Sequence, residues 1–129
     1  MTPAGGNPAP ARILVVDDEL DTAQSLAMLF RAMGKQVEYA INASAALEIA
    51  RRLQPDMAFV DLRLPDMDGW TLARQLKEQS PGRRLRVVCI TGRGAPEDRQ
   101  RSMEAGAEDH LVKPVDPAYI ERLVSSDDD

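Results

Sequence analysis

The sequence predicts an α/β protein in which helices cover both faces of a parallel five-stranded sheet. Short apolar runs of strand length alternate with segments whose apolar residues recur at spacings of three and four, which is the repeat of a helix. The alternation occurs five times, and this order favours parallel strands joined by right-handed crossovers. Several runs also end on acidic, hydroxyl or amine side chains. We therefore expect these groups to meet at the carboxyl edge of the sheet.

The predicted strands fall into two classes. Four are mainly apolar runs, typical of strands that are buried on both faces. The remaining one alternates apolar with polar residues, as a more exposed strand does. The apolar runs cover residues 12–16, 57–60, 85–90 and 110–112, and the alternating strand covers residues 36–40.

The predicted helices follow from apolar stripes and their end signals. The first stripe stops at Gly34, a residue type that commonly ends helices, and Asn42 is a suitable cap for the second. The third begins after Gly69 and stops at residues 80–82, whereas Gly106 ends the fourth, which has few apolar residues. The stripes cover residues 23–33, 43–53, 70–76, 97–105 and 120–124.

Length and composition indicate one folded domain. The 129 residues are 43% apolar and 29% charged, which is typical of a globular protein with a single core. The net charge of −5 disfavours direct binding to nucleic acid. Cys89 is the one cysteine and lies in a predicted strand, so we interpret it as a buried apolar residue rather than a redox group.

The two ends of the chain differ from its middle. Residues 1–11 are rich in Pro, Gly and Ala and predict a flexible N-terminal segment or linker. Residues 125–129 are polar and acidic and predict a disordered tail. The folded domain is therefore predicted to cover residues 12–124. No apolar run has the length of a membrane span and no signal peptide is recognisable, so we expect a cytoplasmic location without a membrane partner.

Carboxylates follow two of the predicted strands. Asp17 and Asp18 come after the first strand, and Asp61 ends the third. Three carboxylates that are brought together raise one another's pKa unless a cation offsets them. Clustered carboxylate oxygens suit a hard divalent cation such as Mg²⁺. The alternative is that these acids only cap the turns and helices that follow them.

Thr91 and Lys113 follow the fourth and fifth strands. The Thr91 hydroxyl can donate a hydrogen bond to an anion, and Gly92 beside it would let a phosphoryl group approach the backbone. Lys113 provides a counter-charge for the acids, and Pro114 confines it to the strand end. Alternatively, Thr91 is an ordinary strand residue and Lys113 is an ordinary surface lysine.

Four segments resemble the receiver domain of two-component response regulators. They occur in the order and at the spacing of that family, and the resemblance extends over about residues 12–124. It implies a flavodoxin-like (βα)5 three-layer sandwich with a parallel sheet of strand order 2-1-3-4-5. The segments are VVDD at 15–18, VDLRLPDMDG at 60–69, ITG at 90–92 and KP at 113–114.

The resemblance also implies a function. Asp61 would be phosphorylated by a histidine kinase or a histidine phosphotransfer protein, and the domain would then switch conformation to control a partner or output. It would assist its own phosphorylation and dephosphorylation without being a free-standing enzyme. Such a domain occurs either as a single-domain regulator or as the receiver of a hybrid histidine kinase in a phosphorelay.

Roles for the individual residues follow from the same resemblance. Mg²⁺ would be held by Asp18, Asp61 and the backbone carbonyl of Arg63, and Asp17 would act through a bound water. In this family the Lys-Pro peptide bond is typically cis, which aims the ammonium at the acids. The two residues that would bind the phosphoryl oxygens are Thr91 and Lys113.

One histidine and two arginines depart from the usual receiver pattern. The position three residues before the lysine is often Tyr or Phe and takes part in the switch, whereas here it is His110. We favour a solvent-facing or edge imidazole; if His110 takes the switch role with Thr91, its orientation becomes sensitive to pH near neutrality. Arg63 and Arg93 lie two residues beyond the phosphorylation site and Thr91. We expect both to border the pocket and shield a phosphoryl group from water, unless both guanidiniums point into solvent.

Two other functions compete with the receiver. The DMDG segment at 66–69 resembles the nucleophile motif of haloacid-dehalogenase-type phosphatases, but Pro65 precedes it where that family has a central strand. We interpret its acids as loop residues that turn the chain into the third helix. The second alternative is a pseudo-receiver that acts by interaction alone, although such domains usually lack an acid, the threonine or the lysine.

Overall fold

The computed structural model describes residues 11–80, 82, 84–92 and 96–125. Within these ranges five parallel strands alternate with five helices, in the strand order β2-β1-β3-β4-β5. The fold class and the strand order predicted from the sequence are confirmed. The elements are β1 (Arg12–Val16), α1 (Leu20–Ala32), β2 (Gln36–Ala40), α2 (Ala43–Leu53), β3 (Met57–Asp61), α3 (Gly69–Glu78), β4 (Arg86–Thr91), α4 (Pro96–Glu104), β5 (Asp109–Val112) and α5 (Pro117–Ser125).

The strands β1 and β3 lie side by side at the centre of the sheet. Val16 at the end of β1 pairs with Val60 of β3. On the other side of β3, Asp61 pairs with Ile90 of β4, and β5 forms the edge beyond β4. Because all these strands are parallel, their carboxyl ends meet along one edge.

Alternate side chains of the strands face two separate apolar cores. Ile13 and Val15 of β1 belong to the core under α1 and α5, together with Phe30 and Phe59, whose ring centroids lie 5.1 Å apart. Leu14, between them in sequence, belongs to the core under α2 and α3. The apolar runs of β1, β3 and β4 are therefore buried on both faces, as predicted. The prediction is wrong for the run at residues 110–112, because β5 is an edge strand and its Val112 is exposed.

Helix ends follow local signals in the sequence. Asn42 caps α2 by accepting a hydrogen bond from the Ala45 amide, and Gly34 after α1 has a φ of 83°. Both residues act as predicted. The helices α1 and α5 start earlier than their apolar stripes, at Leu20 and Pro117. Their first turns are largely exposed, and a stripe marks only the buried face of a helix.

Most of the predicted N-terminal segment and tail, residues 1–10 and 126–129, lies outside the described residues. Ala11 donates a backbone hydrogen bond to the Asp56 carboxylate, and Ser125 is the last residue of α5. The described structure thus includes one residue beyond the predicted domain at each end. None of the helices in the described ranges has the length and hydropathy needed to cross a bilayer.

Gly69 is required by a close backbone contact at the start of α3. A Cβ atom here would lie 2.6 Å from the Asp61 carbonyl oxygen and 2.6 Å from the Leu62 Cα. Because backbone atoms cannot easily move aside, we expect Gly69→Ala to lower the free energy of unfolding by about 2 kcal/mol or more, measured by urea denaturation. Gly92→Ala is the matched control, since a Cβ there meets nothing within 4 Å. Equal losses in the two variants would contradict this explanation.

Candidate functional site

Four predicted site residues converge at the carboxyl edge of the sheet. Asp17 directly follows β1, Asp61 is the last residue of β3 and Lys113 directly follows β5. One carboxylate oxygen from each of Asp17, Asp18 and Asp61 lies within 4.8 Å of the other two. The Lys113 Nζ lies 3.0 Å from Asp17 Oδ2 and 3.4 Å from Asp61 Oδ2. These residues therefore form one cluster, called the acidic cluster below for its three aspartates.

Backbone amides hold one oxygen of each buried carboxylate. The Asp61 Oδ1 accepts a hydrogen bond from the Arg63 amide at 3.0 Å, and the Asp17 Oδ1 accepts one from the Glu19 amide at 2.9 Å. Asp17 and Asp61 are only 1% and 4% exposed. Each carboxylate is thus oriented by the backbone and presents its second oxygen, Oδ2, to the Lys113 ammonium.

Lys113 is positioned at both its backbone and its side chain. Its peptide bond to Pro114 is cis, as the resemblance implies, and its backbone amide donates to the Thr91 carbonyl at 2.8 Å. Burial alone lowers the pKa of the ammonium, but its bonds to the neighbouring carboxylates outweigh burial and hold the pKa above its ordinary range. Lys113 is therefore the protonated counter-charge of the acidic cluster.

Glu19 also belongs to the site, although the sequence interpretation did not include it. Its Oε1 accepts a hydrogen bond from the Lys113 Nζ at 2.9 Å, and this bond lowers the pKa of the Glu19 carboxyl. Glu19 precedes α1 without capping it through its side chain. The sequence feature that could have indicated its role is its place as the third acid of the run Asp17-Asp18-Glu19. Which of these acids reaches the lysine depends on how the chain enters α1.

The donor set of the acidic cluster fits a metal ion. The Asp17 Oδ2 is buried, accepts no hydrogen bond from the described residues and contacts Lys113 by charge. Asp18 is exposed, and its carboxylate completes a set of three oxygen donors with Asp17 and Asp61. Oxygen donors of this kind are preferred by hard divalent cations. The cluster can therefore bind a metal ion, whereas the role of the Arg63 carbonyl as a further ligand stays a prediction.

The three remaining predicted residues around the phosphorylation site are Thr91, which is buried, Arg63, which is exposed, and Arg93. Thr91 ends β4 and is 3% exposed, and its role toward a phosphoryl group stays a prediction. Arg63 is exposed, and its guanidinium forms no hydrogen bond or ion pair with the described residues. Its backbone forms a bridge with Asp68. Arg93, predicted to border the pocket, lies outside the described residues.

His110 was expected to be a solvent-facing or edge imidazole; it lies on the edge strand β5 but is buried, so a solvent-facing position is wrong. The residue is 6% exposed although β5 is an edge strand, and its Nδ1 lies 2.8 Å from the Ser102 Oγ. Burial, assisted by the Arg99 charge, lowers the pKa of His110, which moves its titration away from neutrality. The sequence did not reveal this burial because α4, which packs over β5, has almost no apolar periodicity.

The acids of the DMDG segment cap two different helices. Asp66 accepts hydrogen bonds from the amides of Ala43 and Ser44 at 2.8 and 3.0 Å, at the start of α2. Asp68 accepts one from the Thr71 amide at 2.9 Å, at the start of α3. Helix capping accounts for both acids, and neither belongs to the acidic cluster. This arrangement disfavours the phosphatase alternative.

The Asp61 carboxyl has a raised pKa. Burial raises it most, the Arg63 amide lowers it, the Asp17 charge raises it and the Lys113 ammonium lowers it, which leaves a pKa of about 6. The ordinary value is 3.8, so the folded protein holds this proton more tightly than the unfolded chain does. The stability that this group contributes is therefore present at low pH and is lost as the pH rises from about 4 to 6.

Replacing Asp61 by Asn removes a buried negative charge. Without added metal, we expect Asp61→Asn to raise the free energy of unfolding at about pH 7.5 by about 1 kcal/mol or more. The gain should shrink at about pH 5, where wild-type Asp61 is mostly protonated. Urea denaturation at the two pH values measures both effects. An equal gain at both, or a loss at the higher pH, would contradict the raised pKa.

Comparison with known proteins identifies relatives of the whole domain. The model of the response regulator receiver domain matches residues 13–125. The response regulator PleD of Caulobacter vibrioides is 38% identical over 116 residues, which are 90% of this chain and 26% of PleD. A CheY-like response regulator receiver domain protein from Methanospirillum hungatei is 30% identical, with a TM-score of 0.81 over 88% of this chain and 89% of its own.

A third relative is a response regulator from Burkholderia pseudomallei, whose crystal structure contains a phosphorylated aspartic acid, a calcium ion and citrate. It is 27% identical, with a TM-score of 0.80 over 89% of this chain and 66% of its own. This chain spans about a quarter of the length of PleD, so the similarity to PleD concerns one domain of that protein. Since the family model covers nearly all of the folded residues, the chain belongs to the response regulator receiver domains, the phosphoacceptor modules of two-component signal transduction.

Proposed function

We propose that Asp61 of this receiver accepts a phosphoryl group from a phosphohistidine, and that the domain then acts as a conformational switch rather than as a free-standing enzyme. The observation that carries the proposal is the setting of Asp61. Its carboxylate is buried at the carboxyl edge of the sheet, with a protonated lysine 3.4 Å away. The phosphorylated aspartic acid in the response regulator of Burkholderia pseudomallei supports the same chemistry.

The reaction is an in-line displacement at phosphorus. The bond between phosphorus and the donor imidazole breaks while a bond to an Asp61 oxygen forms, and the departing imidazole takes up a proton from solvent. The Arg63 amide fixes one carboxylate oxygen, so the nucleophile is oriented before the donor arrives. Lys113 contributes a fixed positive charge beside the phosphorus, where negative charge collects during transfer.

Mg²⁺ is the metal that we propose for the acidic cluster. Asp18, Asp61 and the Arg63 carbonyl would hold it, and Asp17 would act through a water. The acidic cluster contains three carboxylates and one lysine, so it keeps excess negative charge that an incoming phosphoryl group would increase. Bound Mg²⁺ supplies the positive charge that offsets it.

After transfer, the phosphoryl oxygens need partners from this chain. Lys113 is suited to one of them, because its ammonium already lies beside Asp61, and we assign another to the Thr91 hydroxyl. The two residues are joined by the bond from the Lys113 amide to the Thr91 carbonyl. New bonds at this point would therefore act on β4, α4 and β5 together. We assign to the Arg63 side chain the shielding of the phosphoryl group from water.

The proposed donor is a histidine kinase or a histidine phosphotransfer protein in the cytoplasm. The chain supplies the aspartate and part of the catalytic apparatus, while the donor supplies the phosphohistidine. The net charge of −5 makes direct binding to nucleic acid unfavourable, so we expect the output to pass through a protein partner.

Asp61 can be tested as the phosphoacceptor with a small donor. Incubation with acetyl phosphate and Mg²⁺ should add one hydroxylamine-sensitive phosphoryl group, detected by intact-mass spectrometry, because an acyl phosphate reacts with hydroxylamine. Asp61→Asn should abolish the addition, and the matched control Asp66→Asn should retain it. Undiminished phosphorylation of Asp61→Asn would move the site elsewhere. Sustained hydrolysis of simple phosphate esters that depends on Asp66 and Asp68 would favour the phosphatase alternative.

Asp18 tests the metal site. We expect Asp18→Ala to weaken Mg²⁺ binding by about tenfold or more, because a carboxylate ligand is lost from a site with few of them. Isothermal titration calorimetry measures the affinity directly. Asp21→Ala is the control of equal charge, since Asp21 is an exposed acid in the first turn of α1. Equal affinities of wild type and Asp18→Ala would exclude Asp18 as a ligand.

A further inference from the structure

The helix α4 is attached to the protein in an unusual way. Among its described side chains, at residues 97–104, only Ser102 is buried, and Ser102 has no exposed surface at all. Helices on a globular protein normally dock through an apolar stripe. The nearest buried apolar residues, Ala105 and Ala107, lie beyond the end of the helix. The position of α4 therefore depends mainly on polar contacts.

The Ser102 hydroxyl joins three elements. It accepts a hydrogen bond from the Trp70 Nε1 of α3 at 2.9 Å, and it lies 2.8 Å from the His110 Nδ1 of β5. The Arg101 guanidinium lies 3.7 Å from the centroid of the Trp70 ring, so a second residue of α4 contacts the same indole. Trp70, Ser102 and His110 form a chain of hydrogen bonds, called the polar chain below.

The polar chain is not fully satisfied. An indole nitrogen can only donate, so Ser102 accepts from Trp70, and its hydroxyl can either donate to the His110 Nδ1 or accept from it. In either tautomer the His110 Nε2 is buried and has no hydrogen-bond partner among the described residues. An unpaired buried polar nitrogen has a free-energy cost that another imidazole position, open to water, would remove. The present arrangement therefore competes with an alternative.

The polar chain is also connected to the phosphorylation site. His110 lies three residues before Lys113, on the strand that pairs with β4, where Val112 is opposite Thr91. A displacement of Thr91 or Lys113 can therefore reach, along β5, the His110 imidazole that is hydrogen-bonded to Ser102. Few apolar contacts of α4 oppose its displacement.

We propose that the polar chain is a latch that holds α4 in place while Asp61 is unphosphorylated and opens when Asp61 carries a phosphoryl group. This inference rests on the proposed function, because it takes Asp61 as the phosphoacceptor. The inference adds to that function the contact that sets the equilibrium between the closed and open positions of α4. By linkage, weakening the latch favours the open conformation and speeds phosphorylation.

Ser102→Ala opens the latch by removing the shared hydroxyl. Hydrogen exchange measured by mass spectrometry should show amides of α4 exchanging about fivefold faster, the effect of losing roughly one hydrogen bond. Phosphorylation by acetyl phosphate and Mg²⁺ should become about threefold faster. Gln100→Ala is the matched control on the same helix, because Gln100 is exposed and its side chain bonds to Glu104. It should change neither rate.

Trp70→Phe provides an independent variant that keeps an aromatic ring. It removes the N–H donor to Ser102 together with part of the ring, and it should reproduce both effects of Ser102→Ala. Combining the two substitutions should add little to either single effect, because both break the same contact. Exchange of β1 amides serves as the internal control for global unfolding, since β1 lies in the centre of the sheet.

The outcomes separate the latch from the proposed function. Exchange of α4 in both variants equal to that in Gln100→Ala would overturn the latch, and so would faster exchange without faster phosphorylation. Repeating the exchange measurement in Asp61→Asn should give the same acceleration from Ser102→Ala, because it needs no phosphoryl group. If wild-type protein took up no phosphoryl group on Asp61, the proposed function and the coupling would both fail. The exchange data would still report whether Ser102 docks α4.

Discussion

The Lys113 ammonium lies between 2.9 and 3.4 Å from carboxylate oxygens of Asp17, Glu19 and Asp61. A parallel sheet makes this contact possible, because it brings the carboxyl ends of β1, β3 and β5 to one edge. Acids held so closely would repel one another in a partly buried setting. The Lys113 ammonium at the end of β5 offsets part of that repulsion, and the remaining negative charge favours the binding of a further cation.

The backbone around this lysine is organised to keep the charges in place. Amides two residues further along the chain hold Asp17 and Asp61, and the amide of Lys113 binds the end of β4. Each charged side chain is therefore fixed by the strand end that carries it. Preorganisation of this kind reduces the rearrangement required when a charged group arrives.

The parts of the site that lie on strand ends could be predicted from the sequence, because buried apolar runs are easy to recognise and parallel strands share an edge. Asp17, Asp61 and Lys113 were found in this way. The burial of His110 and the contacts of Ser102 could not be predicted, since they depend on where α4 packs and α4 has no apolar stripe. Asp66 shows a similar limit: it caps a helix that begins 23 residues earlier in the chain, and no local pattern reports such a contact.

The cap that Asp66 provides for α2 has a mechanical consequence. The loop after Asp61 is bonded to α2 through Asp66 and to α3 through Asp68. At its end the buried Gly69 lies so close to the backbone of residues 61 and 62 that there is no room for a Cβ atom. In the proposed function, the half of the domain that carries Asp61 is therefore expected to stay rigid. The proposed latch assigns the motion to the opposite half, where Ser102 is the buried side chain of α4 among residues 97–104. We therefore expect the signal to leave the domain from the side that is least firmly packed.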